Sequence, residues 1–367
     1  MTDQTPVRIG LIGCGVISNA YLGISERFPI LDFVACADLD PEASKRTSEK
    51  YGLEDMSTDE LLARDDIEVV LNLTIPGVHG EVNLAALESG KHAFCEKPFG
   101  LDVKEGKHVL NRARELNLRL GCAPDTFLGG GHQTVRHLID EGAVGHPLSG
   151  TAFMMSHGVE TWHPSPEFYY KRGGGPLFDM GPYYITALVN SLGPVKRVAA
   201  ITSCGFKQRT ITSQPKHGDI IDVEVDTHTS GVLEFHSGAV VTVVMSFDVW
   251  RHSNRFIEIH GTDRSITCPD PNGFGGRVAM NGSGREWEEQ PLTHPNVENS
   301  RSIGLADMCT GIRTGRAHRA SGDLAFHVLE VMDAFGKSNE TGQHIELTSK
   351  PDRPAALPIG LADSDLD

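Results

Sequence analysis

The chain has 367 residues, 39% hydrophobic and 22% charged, enough apolar surface for packed cores in about two domains and too much for global disorder. Its 33 basic and 49 acidic residues leave a formal net charge of −16, which disfavours nucleic-acid phosphates and anionic lipid as partners. The sequence holds no apolar run of the ~20 residues that a membrane helix needs and no secretory pattern in the polar start Met1–Pro6, and its seven scattered cysteines form no Cys-x-x-Cys pair; the expectation is a reducing cytoplasm and no zinc framework.

The first third alternates short apolar runs with longer mixed segments. Strands are predicted at Arg8–Ile12, Phe33–Ala37, Val69–Leu73, His92–Cys95 and Leu118–Cys122, with helices near 16–27, 41–51, 78–89 and 103–117. Gly52 and Gly90 mark helix stops. Such alternation predicts a parallel sheet flanked by helices. Beyond about residue 148 the apolar period becomes two: Val241, Val243, Met245 and Phe247 share a face, and Asp222–Asp226 alternates likewise. That pattern predicts an antiparallel sheet with one wetter face. Two helices interrupt it, one over 179–192 carrying Ile185, Leu188, Val189 and Leu192, the other over 321–336 carrying Leu324, Val328, Met332 and Phe335. The stretch 270–300 reads as loop, and the tail after Pro351 is Pro-rich and then acidic. The expected division is 1–125, 126–350 and a tail 351–367.

The turn Gly13-Cys14-Gly15-Val16-Ile17-Ser18 follows the first strand and opens the first helix. Gly13 permits a tight turn, Gly15 lets backbone approach a pyrophosphate, and the helix N-terminus offers N–H groups; Ser18 stands where the strict motif has a third glycine. Asp38 ends the second strand, where a carboxylate accepts both ribose hydroxyls of NAD and repels the 2′-phosphate of NADP. Glu96-Lys97-Pro98 ends the fourth predicted strand, where ligands bind in open α/β sheets, so Lys97 is expected beside the nicotinamide.

Four segments resemble the glucose–fructose oxidoreductase/inositol dehydrogenase (Gfo/Idh/MocA) family: Gly13–Ser18, Thr74-Ile75-Pro76 with His79, the run Ala86–Pro98, and Gly173–Tyr183. The resemblance spans about Val7 to Lys337. It implies an α/β Rossmann domain followed by an α+β domain with a large open, mainly antiparallel sheet, through which two or four copies pair. It implies cofactor contacts at Gly13, Gly15, Val16, Ile17, Asp38, Thr74, Pro76, His79, Glu96 and Lys97, a catalytic Lys97, and substrate-facing Asp179 and Tyr183. Many members carry histidine where this sequence has Tyr183, and an aspartate where it has Thr186; the tyrosine is similar to the branch that includes dihydrodiol and xylose dehydrogenases.

Oxidising a carbinol needs a hydride acceptor and a proton acceptor of pKa near working pH. Tyrosine and lysine are ordinarily too basic, and neighbouring positive charge favours tyrosinate and neutral lysine. The segment His157–Pro164 leaves the first strand of the second domain toward Gly173 and reads as a substrate rim with Glu160, Trp162 and His163 rather than a metal cluster; Arg172 is a further substrate contact. His318, Arg319 and His327 read as structural. The expected activity is NAD-dependent oxidation of a secondary or anomeric hydroxyl of a carbohydrate. The alternatives are an NAD-retaining enzyme that cleaves glycosides through transient oxidation, and a non-catalytic sugar sensor.

Overall fold

The computed structural model describes residues 5–254, 256–284 and 286–367. The chain forms two compact units that interleave along the sequence. One comprises Met1–Gly130, His294–Phe326 and Pro354–Asp367; the other comprises Gly131–Thr293 and His327–Arg353. The linear division at 125 and 350 does not draw this return of 294–326 and 354–367 to the first unit.

The first unit holds six parallel strands, β1 (Val7–Ile12), β2 (Leu31–Ala37), β3 (Glu54–Asp55), β4 (Val69–Asn72), β5 (His92–Cys95) and β6 (Leu120–Cys122), in spatial order β3-β2-β1-β4-β5-β6. Ile9, Leu11, Val69, Val70, Leu71, Ala93 and Phe94 are wholly buried, as continuous apolar runs with helices on both faces require. The helices are α1 (Ser18–Leu22), α2 (Pro41–Tyr51), α3 (Thr58–Ala63), α4 (His79–Glu88) and α5 (Val103–Glu115). The helix expected over 16–27 breaks after Leu22 and resumes as a single 3-10 turn, Ser25–Arg27. Gly23 causes the break: its N–H caps Asn19 O, and a Cβ there would lie 2.7 Å from that oxygen. The return segment adds the helix Ile303–Thr314, and the tail is held by Asp363 on Arg27 and Asp367 on Arg319.

The second unit starts at Gly131, within α6 (Gly130–Asp140), and builds a nine-stranded mixed sheet. Its strands are β7 (Pro147–Met155), β8 (Val195–Ser203), β11 (His228–Phe235), β12 (Val240–Ser246), β13 (Ile257–Gly261), β14 (Ser265–Cys268), β15 (Val278–Asn281), β16 (Glu288–Gln290) and β17 (Ile345–Glu346), with β9 (Gln208–Thr210) and β10 (Ile220–Asp222) forming a separate hairpin. The order is β16-β15-β14-β13-β7-β12-β11-β8-β17, antiparallel except where β12 runs parallel to β7. Two expectations are corrected. The alternating Asp222–Asp226 is strand only as far as Asp222, because Val223 and Glu224 give their N–H groups to loop carbonyls of Lys207 and Tyr170. The stretch 270–300, expected as loop, contains β15 and β16, with Gly282 and Gly284 in the connection between them. Val241, Val243, Met245, Leu233 and Phe235 are buried on one face of the sheet, on which α7 (Gly175–Leu192) packs. The final helix, Gly322–Thr341, buries Leu324, Val328, Met332 and Phe335, and Met332 closes on Gly181 of α7.

Candidate functional site

The order β3-β2-β1-β4-β5-β6 reverses between β1 and β4, and ligands of such sheets bind outside the carboxyl ends at that reversal. Each motif of the first unit sits at one of those ends. Gly13 follows β1 with φ +101° and donates to Ala37 O at 2.9 Å; a Cβ there would lie 2.6 Å from the Leu73 carbonyl carbon, so only glycine fits. Gly15 is the opposite case, with open space where a Cβ would go, so backbone there is accessible to a ligand. Ser18 is buried and its Oγ donates to Gly15 O at 2.7 Å, bracing the turn from the position of the missing third glycine. Val16 is exposed beside it.

Asp38 is the acceptor at the end of β2. Its Oδ2 accepts from Cys14 N–H at 2.6 Å and its Oδ1 from Asp40 N–H at 2.8 Å, which ties the carboxylate to the glycine turn on one side and to the start of α2 on the other. Each oxygen keeps a second lone pair for a ligand hydroxyl. Arg46 lies 3.9 Å from Asp40, so that cation faces a carboxylate. An open backbone at Gly15, a helix start and an oriented acid fit a dinucleotide with free ribose hydroxyls.

After β4, buried Asn72 organises the turn: Oδ1 accepts from Thr74 N–H and Oγ–H at 3.2 and 2.6 Å, while Nδ2 donates to His79 O and Asn83 Oδ1. His79 is wholly buried, with Nδ1 2.8 Å from Pro98 O and Nε2 2.9 Å from Thr74 O. Both ring nitrogens face backbone carbonyls, so His79 joins the loops after β4 and β5. Pro76 opens a 3-10 turn, and Ile75 before it is exposed. After β5, Glu96 is buried, accepting from Lys97 N–H on Oε2 at 2.9 Å and from Tyr21 Oη–H on Oε1 at 2.8 Å; Arg301 Nη1 is 3.8 Å away. Burial and the Glu96 charge push the Tyr21 phenol well above its usual range, so it remains a donor. Asp125 is fully buried and caps the helix Ile303–Thr314 through Ser302 N–H and Gly304 N–H at 3.0 and 3.1 Å, with its pKa raised by burial. Asn72, Tyr21, Asp125 and Arg301 carry no motif and escape sequence reasoning.

In the second unit α7 begins at Gly175, four residues before the predicted start. Gly175 has φ +81°, and a Cβ there would lie 2.9 Å from Asp226 O. Pro176 occupies the first turn, where a missing N–H is harmless. Asp179 is therefore inside the helix rather than at its cap, and Tyr183, four residues on, shares its face and is buried. Pro182 has no N–H to give to Phe178 one turn back.

The segment 156–174 runs from β7 to α7. Within it Glu160 is buried, and its carboxylate accepts from Arg209 Nη1 at 2.9 Å and from Tyr170 Oη–H. Arg209 also pairs with Asp248 and donates to Phe247 O at 3.0 Å. The Glu160 side chain thus goes into an ion-paired cluster. Trp162 is exposed, His163 accepts from Ser165 N–H at 3.0 Å, Arg172 is exposed, and Lys171 pairs with Glu224 at 2.6 Å. Among the described residues no group of three or more His, Cys, Asp or Glu side chains could hold a metal ion, and no helix is long and apolar enough to cross a membrane. His327 accepts from Val195 N–H at 2.9 Å and donates to Ser349 Oγ at 2.7 Å, a structural bridge.

Residues 7–123 match the oxidoreductase family with an NAD-binding Rossmann fold, and residues 132–267 match the GFO/IDH/MocA C-terminal domain. A dTDP-3,4-didehydro-2,6-dideoxy-alpha-D-glucose 3-reductase from Saccharopolyspora spinosa is 31% identical over 283 residues, 72% of this chain and 77% of that protein. Levoglucosan dehydrogenase from Pseudarthrobacter phenanthrenivorans is 26% identical over 284 residues, 71% of this chain and 73% of that protein. A solved levoglucosan dehydrogenase in complex with NADH and L-sorbose shares the fold with a TM-score of 0.79 at 22% identity, covering 93% of this chain and 99% of that one. The fold and the dinucleotide motifs define an NAD(P)-dependent oxidoreductase, with NAD as its cofactor. The chain belongs to the GFO/IDH/MocA family.

Proposed function

We propose that the protein oxidises a secondary or anomeric hydroxyl of a sugar or sugar derivative, with Lys97 and Tyr183 as proton acceptors and Asp179 orienting the phenol or the substrate hydroxyl. The observation that carries this reading is the bracing of Lys97: its backbone is bonded to buried Glu96, itself bonded to Tyr21, at the carboxyl end of β5. NAD, held by Gly13, Gly15, Val16 and Ile17 at the pyrophosphate and by Asp38 at the ribose, supplies the hydride acceptor when bound. Thr74, Pro76 and His79 shape the neighbouring turn, and His79 serves it by joining two carbonyls. Tyr183 Oη and Lys97 Nζ share the single proton released by the carbinol, a step worth about 10²–10⁴-fold when the base is positioned. Trp162, His163 and Arg172 contact the sugar, and Glu160 supports that rim through Arg209 and Tyr170. Relatives named for sugar substrates support the substrate class.

The test mixes the protein with NAD and a panel of free sugars and glycosides, following reduced nicotinamide by absorbance and products by chromatography. Stoichiometric NADH with an oxidised sugar is expected. A cleaved glycoside without net NADH would instead identify the cofactor-retaining glycosidase chemistry. Assembly through the open face of the large sheet belongs to the same proposal, because Ile201, Val232 and Val240 stand exposed there across β8, β11 and β12. A homodimer or homotetramer is expected in sedimentation at micromolar protein, and a monomer would refute it.

A further inference from the structure

At one end of the nine-stranded sheet Met155, Ser246, His228 and Ser203 lie side by side across β7, β12, β11 and β8. Residues 157–161 and 206–212 and Trp250, from segments that leave or enter there, border an open cavity of about 350 Å³ within the second unit. His157, Thr161, Phe206, Arg209, Thr212 and Trp250 are among its walls. The start of α7 is at the same end, since Gly175 abuts Asp226, two residues before β11.

The walls have a definite chemistry. The indole of Trp250 stacks on His157 with ring centroids 3.3 Å apart and planes 14° from parallel, yet Trp250 is 78% exposed, so its other face is open. Phe206 stands edge-on to His157 and is 46% exposed. Arg209 is 5% exposed and lies under the Phe206 ring at 4.8 Å. Among the described residues, Arg209 Nε and His157 Nδ1 are buried without a hydrogen-bond partner. The guanidinium is flanked by two carboxylates, Glu160 and Asp248, so the floor carries excess negative charge and disfavours phosphate or carboxylate ligands. A fixed, wet-faced aromatic platform, threonine hydroxyls and an anion-repelling floor together suit the apolar C–H face of a neutral pyranose, which offers hydroxyls at its rim.

We propose that this cavity is a subsite for a second, neutral sugar ring, so that the substrate is a glycoside or disaccharide rather than a single ring. Trp250 stacks on the added ring, and Phe206 closes its flank. The choice of a sugar as ligand rests on the function proposed above.

The experiment measures binding rather than turnover. The full chain with NAD is titrated with maltose, cellobiose, lactose and sucrose, with their monosaccharides, and with glucose 1-phosphate, by calorimetry and tryptophan fluorescence. At least one disaccharide is expected to bind more tightly than its monosaccharides, with a fluorescence change, while glucose 1-phosphate gains nothing over glucose. Trp250→Ala is expected to weaken that disaccharide roughly threefold to tenfold, the scale of an aromatic contact, and to remove the fluorescence change. Phe206→Ala, at a second exposed position, should weaken it in the same direction. The proposal is overturned if no disaccharide outbinds its monosaccharides, if both variants bind it as tightly as wild type, or if glucose 1-phosphate binds best. It is also overturned if Trp250→Ala lowers the sedimentation mass and leaves sugar binding intact, since the platform would then seat a second copy. If Trp250-dependent disaccharide binding persists while no sugar reduces NAD, the subsite stands and the dehydrogenase reading alone fails.

Discussion

Replacing Asp38 by alanine tests the dinucleotide site at its most directional group. The carboxylate accepts backbone N–H bonds of 2.6 and 2.8 Å from Cys14 and Asp40, so its oxygens are fixed before any ligand arrives. A hydrogen bond to a charged acceptor contributes about 1.5–3 kcal/mol, so losing the ribose contact should raise the Kd for NAD roughly 10- to 150-fold. Cys14 N–H and Asp40 N–H lose their acceptor too, but the site is partly open to water, which limits the stability cost to about 1 kcal/mol. For NADP the change acts oppositely. Unit charges 4 Å apart repel by about 4 kcal/mol at an effective dielectric of 20, and exposure reduces this, so discrimination against NADP should relax by on the order of 10²-fold. Calorimetric titration of wild type and Asp38→Ala with both nucleotides, beside a thermal melt, measures all three quantities. The reasoning fails if wild type prefers NADP, or if Asp38→Ala binds NAD within about twofold of wild type.

Tyr183→Phe and Lys97→Met should each lower kcat by about 10²–10⁴-fold with NAD binding intact, and the double variant should fall little below the worse single one, as steady-state kinetics will show. A Tyr183→Phe enzyme at near wild-type rate would leave the tyrosine a packing residue. Tyr21→Phe strips a donor from buried Glu96; a destabilisation of about 1–3 kcal/mol in urea is expected, with kcat reduced on the order of tenfold and the KM for NAD little changed. Burial pushes His327 down to about 4, and the Val195 N–H aimed at Nε2 requires its neutral form. The unfolded chain, with histidine near 6.5, therefore binds the proton first. This contribution, on the order of 3 kcal/mol, is fully present above pH 6.5 and is lost as pH falls toward 4. His132 and His318, also pushed down to about 4 by burial, act in the same window. Urea titrations between pH 7 and 4 should show stability falling with acid, and a shallower fall for His327→Gln.

The parallel sheet was legible because each strand is an apolar run ending in a turn whose glycine, aspartate or lysine has a geometric reason to be there. Gly13, Asp38 and the Glu96–Lys97 pair fall at the ends of β1, β2 and β5 as their spacing predicts. What escaped was tertiary. Nothing local marks Asn72 as the organiser of Thr74, or Tyr21 as the partner of a glutamate 75 residues away. Glu160 looked like a rim residue because its neighbours are aromatic and polar, whereas Arg209, 49 positions on, draws its carboxylate inward. The alternation at Asp222–Asp226 misled because a period of two describes any extended chain, including one that gives its N–H groups to a loop. The start of α7 was placed late because its three glycines read as loop, although Gly175 already belongs to the helix.

The interleaving of the two units bears on how the chain is made. Asp125 finds its partners at Ser302 and Gly304, Glu68 meets Arg313, and Arg27 meets Asp363. These ties are 177, 179, 245 and 336 residues long in sequence. On the ribosome the six-stranded sheet can pair early, but Asp125 must wait without its backbone donors until the residues beyond 300 emerge, at roughly 5–20 residues per second. The first unit is thus begun first and completed last. Fragments ending near residue 130 would carry a carboxylate meant for burial and a sheet lacking its closing helix, so an expressed N-terminal piece should be aggregation-prone while the whole chain folds.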